Sequence, residues 1–146
     1  MNVPLNALGS RHVVTATPEL SVLDAARRMA EKDVGCLVVV AGERPVGVVT
    51  DRDLVLRAIA RGLDPTRAHV QEVMSAPCVT VPDDVDPVEA ASLMRAHRVR
   101  RLPIVARATS RLVGIVTLDD LVHRFGRASG EVAEVVLSLP ADVMGG

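Results

Sequence analysis

The apolar and polar positions switch between two periodicities along the chain, and they do so twice. His12–Thr15 is a short extended stretch ending before Pro18, and a proline disfavours helix at the residue preceding it. Val22, Ala25, Ala26 and Met29 then recur at helical spacing on one face. Ser21 stands before them as N-cap, with Asp24 three residues on to complete a capping box. Cys36–Val40 is continuously apolar, as in a strand covered on both faces. Ala41–Arg44 is a turn containing Gly42, and Pro45–Val49 is the next strand of a hairpin. A helix is predicted from Asp51 to about Arg61, stopped by Gly62.

The second half repeats the plan. Cys78–Val81 is extended before Pro82; Asp86 caps a helix with Pro87 first and Glu89 third. Leu102–Ala106 and Leu112–Val116 are paired strands, and Leu118 to about Arg124 is the last helix. Sliding the chain on itself by about 65 residues brings the halves into register. Ala25-Ala26 falls on Ala90-Ala91, Met29 on Met94, Val34 on Val99, Leu37 on Leu102 and Val40 on Val105. Beyond a small length change, Val46-Gly47 meets Val113-Gly114 and Val49-Thr50 meets Val116-Thr117. Asp53-Leu54-Val55 meets Asp120-Leu121-Val122, and Arg57 meets Arg124. Matched polar residues at fixed offsets are more than amphipathicity produces, so the chain is an internal duplication of the fold class α/β (α+β), each repeat β-α-β-β-α. Domain limits are 10–62 for the first repeat, 63–76 for a connector, 77–126 for the second repeat and 127–146 for a tail. Within the tail, Glu131–Leu139 is a candidate helix before Pro140.

Composition adds constraints to this plan. Of the 146 residues, 49% are hydrophobic, yet Phe125 is the one aromatic, so Val, Leu, Ala and Ile must fill the core. The formal net charge of −1 provides no global field for nucleic acid or anionic membrane. The lack of aromatics also argues against base-stacking platforms. Of the 17 Lys and Arg residues, all but Lys32 are Arg, a skew that reads as compositional background. No apolar run is long enough for a membrane span and no signal pattern opens the chain, so a cytoplasmic protein is expected. Cys36 and Cys78, one in each half and without paired spacing, read as reduced thiols. His12, His69, His97 and His123 have no ligand spacing, so no metal site is expected. There is no nucleophile pattern, Gly-x-x-x-x-Gly-Lys-Ser/Thr loop or Gly-x-Gly-x-x-Gly fingerprint, so no catalytic residue is assigned and an enzyme is not expected.

The duplicated Gly47-Val-Val-Thr50-Asp-Arg-Asp53-Leu54 and Gly114-Ile-Val-Thr117-Leu-Asp-Asp120-Leu121 carry the candidate chemistry. In each a buried strand ends at Thr and a helix begins at once, exposing unpaired N–H groups with partial positive charge. Such a strand end suits polar or anionic ligands. Asp53 and Asp120, in the first turn, could each accept two hydrogen bonds from a vicinal diol such as ribose. The same Thr-x-x-Asp spacing is also a plain capping box, and a duplicated cap would be duplicated just as well. Spacing leaves both readings open.

Several stretches resemble a known family. They are Val34-Gly-Cys-Leu-Val-Val-Val40 with Pro45-Val-Gly-Val-Val-Thr-Asp-Arg-Asp-Leu54, and His97-Arg-Val-Arg-Arg-Leu-Pro-Ile-Val105 with Leu112-Val-Gly-Ile-Val-Thr-Leu-Asp-Asp-Leu121. Val73-Met74-Ser75 before the second repeat fits too. Over about residues 10–126 the chain resembles paired cystathionine-β-synthase-type (CBS) domains, whose tandem is called a Bateman module. The resemblance implies two pseudo-symmetric repeats packed sheet to sheet, in a stand-alone pair. It implies two clefts for adenosyl ligands such as AMP, ADP, ATP, S-adenosylmethionine or NAD, none of them an obligatory cofactor. Asp53 and Asp120 would take ribose hydroxyls, and Thr50 and Thr117 would hold ribose or phosphate. The cleft of Asp120 would add Thr17, Val34 and Gly35; that of Asp53 would add Thr80, Val81, Val99 and Arg100.

Basic residues before the Leu-Pro strand often meet phosphate in the family, which suits Arg100 and Arg101; a solvated edge explains them equally. The first repeat has Gly35-Cys36 there, so the clefts are expected to be unequal. The function implied is that of a dimeric sensor, its helices meeting those of a second copy, which passes a shape change to a protein target. The alternative is a ligand-free, stress-associated interaction or structural protein with vestigial clefts.

Overall fold

In the computed structural model, the described residues are 5 and 12–125, with 124 and 125 described by backbone alone. The candidate tail helix lies outside them. Two compact units emerge among the described residues, one spanning Val13–Cys78 and the other containing Val79–Phe125 together with Leu5 and His12. The boundary falls after the expected connector, which packs into the first unit.

The first unit holds β1 (Thr15–Ala16), α1 (Val22–Lys32), β2 (Cys36–Ala41), β3 (Arg44–Thr50) and α2 (Asp51–Asp53). A π-helical segment, Leu54–Ile59, continues α2, and a 3₁₀ turn follows at Val70–Glu72. The sheet order is β1-β2-β3, with β1 parallel to β2 and β3 antiparallel to it. Ser21 Oγ accepts the Asp24 N–H at 3.0 Å. The cap is single rather than the expected box, because the Asp24 carboxylate turns to Arg27 at 3.6 Å. α1 ends on Asp33 in the left-handed region, φ 53°, whose N–H returns to the carbonyls of Ala30 and Met29. The core joins α1 (Val22, Ala25, Met29) to the strands (Leu37, Val39, Val49) and to Ala68, Val70 and Val73 of the connector.

The second unit holds β4 (Val81–Pro82), α3 (Pro87–His97), β5 (Arg101–Val105), β6 (Leu112–Thr117) and α4 (Leu118–Phe125), with sheet order β4-β5-β6. Its details follow the first unit closely. Asp86 caps α3 by accepting the Glu89 N–H at 2.9 Å with Pro87 in the first turn, and Arg98 closes the helix at φ 55°. The hairpins share register: Cys36 faces Thr50 as Arg101 faces Thr117, and each carries one shift before its last pairs. The core comprises Val81, Ala90, Ala91, Met94, Leu102, Ile104, Val116 and Leu121, joined by Leu5. Aliphatic side chains, Val, Ala, Leu, Ile and Met, fill both cores, as the near-absence of aromatics requires.

The predicted helix over 51–61 differs most from expectation. Beyond Asp53 it widens: the N–H of Ala60 reaches back five residues to the Val55 carbonyl at 2.9 Å. Gly62, φ 72°, ends it as expected.

Candidate functional site

Both strand ends carry the same hydrogen-bonded device. The Thr50 N–H donates to Asp53 Oδ2 at 2.9 Å, while Thr50 Oγ1 accepts the Asp53 N–H at 3.1 Å. In the other unit the Thr117 N–H donates to Asp120 Oδ2 at 2.9 Å and Thr117 Oγ1 accepts the Asp120 N–H at 3.1 Å. Capping is therefore real in both repeats. It does not exhaust the carboxylates, because an ionised carboxylate offers about four lone-pair sites and the cap takes one. The cap fixes the rotamer and holds Oδ1 in a set direction, the preorganisation a diol-binding carboxylate needs. The Asp53 side chain is only 15% exposed, so a hydrogen bond there is less screened than at an open surface.

Each device is braced from the preceding strand. The Asp51 N–H donates to the Gly35 carbonyl at 3.0 Å, and the Leu118 N–H donates to that of Arg100 at 2.7 Å. These are the aligned residues of the two repeats, so Gly35 sits beside Thr50-Asp51 as Arg100 sits beside Thr117-Leu118. A Cβ on Gly35 would stand 3.1 Å from Asp51 Oδ2, so glycine lets that carboxylate close over the loop. The second repeat has no carboxylate there; Leu118 takes its place and is buried.

Within the first unit the structure brings Gly35, Thr50 and Asp53 to one end of the β2–β3 hairpin. Val34 lies next to them, its N–H bonded to the Met29 carbonyl at 3.0 Å, and Thr17 is exposed just past β1. In the second unit Arg100, Arg101, Thr117 and Asp120 share one hairpin end, with Arg101 directly cross-strand from Thr117 and both half-buried. Val99 precedes them, its N–H bonded to the Met94 carbonyl at 3.0 Å. Thr80 is half-buried immediately before β4, and Val81 is fully buried in the core.

Three features of the site region were not anticipated. The Arg57 guanidinium lies 3.8 Å from Asp53 Oδ1, and its Nη1 donates to the carbonyls of Val73 and Met74 at 3.3 and 3.1 Å. Ser75 pairs with the outer edge of β3, exchanging bonds of 2.9 and 3.1 Å with Val48. Cys36 and Cys78, expected one in each half, fall in one unit, and burial, with a smaller contribution from Cys36, pushes the half-buried Cys78 thiol up to about 11; both are unbridged thiols, as the sequence reading expects. The match of Arg57 with Arg124 in the repeat was the signal available for the first of these.

Among the described residues no group of three or more His, Cys, Asp and Glu is placed to hold a metal ion. No helix among them is long and apolar enough to cross a membrane.

The CBS-domain family model matches residues 6–59 and again 70–127. The chain belongs to the CBS-domain family. A CBS domain protein from Pyrobaculum aerophilum, solved in complex with AMP, superposes with a TM-score of 0.77 at 29% identity, covering 93% of this chain and all of that one. Hypoxic response protein 1 of Mycobacterium tuberculosis is 34% identical over 124 residues, 84% of this chain and 80% of the relative. Its crystal structure, with two coordinated zinc ions, superposes with a TM-score of 0.75 at 31% identity, covering 84% of this chain and 99% of that one. An uncharacterized protein of Methanopyrus kandleri is 34% identical over 123 residues, 84% of this chain, and the chain spans 62% of its length. The tandem CBS pair expected from the sequence is thus established, as is its mixed architecture with a three-stranded sheet in each repeat.

Proposed function

We propose that this CBS pair is a regulatory module that binds an adenosine-containing ligand of the AMP, ADP, ATP, S-adenosylmethionine or NAD type and passes its state to a protein target. The observation that carries the reading is the duplicated cap, which holds Asp53 and Asp120 in the same geometry, with Oδ2 of each engaged by the cap and Oδ1 outside it. An AMP complex in a relative that this chain covers completely supports the same ligand class. Asp53 and Asp120 take ribose hydroxyls, with Thr50 and Thr117 beside them. Thr17, Val34, Gly35, Thr80 and Val99 complete the adenosyl contacts, whereas Val81, fully buried in the core, supports the site from behind and touches no ligand. Arg100 and Arg101 meet phosphate, and since the first repeat has Gly35 and Cys36 at those positions, the two sites differ in affinity. The module works in the cytoplasm as a homodimer. Exposed apolar side chains on the π-helical segment, Val55, Leu56 and Ile59, are in line with a helix face meeting a second copy.

Regulation would follow from unequal ligand affinity for two packings of the chain. Calorimetric titration with AMP tests the reading: saturable binding weakened at least tenfold by Asp120→Ala supports it, and unchanged binding removes the ribose assignment. The alternative, a ligand-free stress-associated interaction protein, draws on the relative named for hypoxic response. It predicts no heat with any adenosyl ligand.

A further inference from the structure

Arg57 is engaged at both ends. Four residues after Asp53, on the helical run that leaves the cap, its Nε faces Asp53 Oδ1 at 3.8 Å. Its Nη1 reaches the Val73 and Met74 carbonyls of the connector at 3.3 and 3.1 Å. That span suits a guanidinium, whose planar fork can serve a carboxylate and a carbonyl pair at once; an ammonium offers a single point. The stretch it grasps is itself tightly seated. Val73 is fully buried, Ser75 forms two backbone bonds with Val48, and Met74 packs where a Cβ on Gly47 would come within 2.6 Å of its sulfur. Two residues beyond Ser75 the chain reaches Pro77, and at Val79 the other unit begins.

We propose that Arg57 is a positioning residue that ties the Asp53 carboxylate to the connector backbone, so that occupancy of Asp53 is felt at Val73–Ser75. The part concerning occupancy rests on the ribose reading above; the tie itself does not. Asp53 Oδ1, the oxygen outside the cap, is the one that faces Arg57. Hydroxyls donating to that oxygen draw on the carboxylate charge that attracts the guanidinium, weakening the 3.8 Å ion pair and leaving Arg57 to settle on its hydrogen bonds to the Val73 and Met74 carbonyls. A ligand on Asp53 therefore firms the connector strand, and a firm connector in turn holds Arg57 for the ligand, as linkage requires.

Hydrogen exchange at the Ser75 amide, which is bonded to the Val48 carbonyl, tests the tie without any ligand. Arg57→Met is expected to speed that exchange at least fivefold and Asp53→Asn to speed it similarly, with the double variant no faster than Arg57→Met alone. Ser21→Ala, which removes the cap of α1 in the same unit, controls for general loosening and is expected to leave the Ser75 exchange rate within twofold of wild type. Ser75 protection unchanged in Arg57→Met, additive effects in the double variant, or an equal acceleration in Ser21→Ala overturns the tie. With AMP as probe, wild-type exchange at Ser75 slows, whereas Arg57→Met still binds AMP but shows no slowing. Slowing that persists in Arg57→Met overturns the coupling. AMP failing to bind wild type removes the ribose reading and the coupling with it, while the ligand-free comparison still decides the tie.

Discussion

Gly47→Ala is the most exacting test of how the first repeat is built. An alanine Cβ there would stand 2.6 Å from Met74 Sδ, 2.9 Å from the Ser75 carbonyl oxygen and 3.1 Å from Met74 Cγ. The sulfur sits on a flexible side chain and can swing away. The carbonyl belongs to backbone, and it lies about 0.5 Å inside ordinary contact. It also accepts the Val48 N–H at 3.1 Å, so moving it off strains that bond and its reciprocal partner, Ser75 N–H to Val48 oxygen at 2.9 Å. Overpacking of this kind costs about 1–3 kcal/mol, and each strained bond is worth about 1 kcal/mol net. Replacing glycine returns about 0.4–1 kcal/mol by stiffening the unfolded chain. With overpacking at mid-range and the two bonds half lost, the balance is a net loss of about 2 kcal/mol. Urea denaturation should show a lower midpoint at an unchanged slope. Because the backbone contact dominates, Gly47→Ala should cost nearly as much in a Met74→Ala background. A loss below about 0.5 kcal/mol, the range of ordinary surface changes, would refute the close approach. Full rescue by Met74→Ala would show that the sulfur, not the carbonyl, is the obstacle.

Three further outcomes are expected, the first two from the geometry and the third from the proposed function. Thr50→Ala and Thr117→Ala each remove an N-cap oxygen and should each cost about 1 kcal/mol in urea melts; no loss at either position would mean that its box is not formed. Cys78, with its thiol at about 11, should alkylate with iodoacetamide about tenfold more slowly at pH 8 than an unhindered cysteine, since greater nucleophilicity recovers part of the lost thiolate. Folding favours the protonated thiol, so this group costs nothing at neutral pH and lowers stability as pH rises above about 9; rapid labelling of Cys78 at pH 8 would contradict the burial. Arg100→Ala and Arg101→Ala should weaken AMP by tenfold or more while barely touching adenosine, and equal losses for both ligands would remove the phosphate role.

The duplication was legible because its matches include polar residues at fixed offsets, and the same signal set the strand and helix order of both halves. Ser21, Asp86 and Pro87 could be read because N-terminal caps are local. What escaped was non-local. Nothing in the spacing of Asp51–Arg61 shows that the helix widens after Asp53, since the apolar positions alone do not separate the two windings. Met74 against Gly47 and Ser75 on the edge of β3 depend on a connector that reads as a bare linker, although its Val70 and Val73 are fully buried. Asp24 kept the spacing of a box yet serves Arg27, because a surface carboxylate can choose between nearly equal partners. At Thr50 and Thr117 the choice between cap and ligand was never exclusive, since the cap occupies one carboxylate oxygen and leaves the other.

Ligand recognition by the paired carboxylates is tested most directly by a thermal melt across AMP, ADP, ATP, S-adenosylmethionine and NADH. A ligand present at a hundred times its dissociation constant should stabilise the protein by about 2.7 kcal/mol. The account predicts an upward shift in Tm with at least one of these ligands, and its loss when Asp53→Ala and Asp120→Ala are combined. A flat response across the panel, or a shift that survives both substitutions, would contradict it.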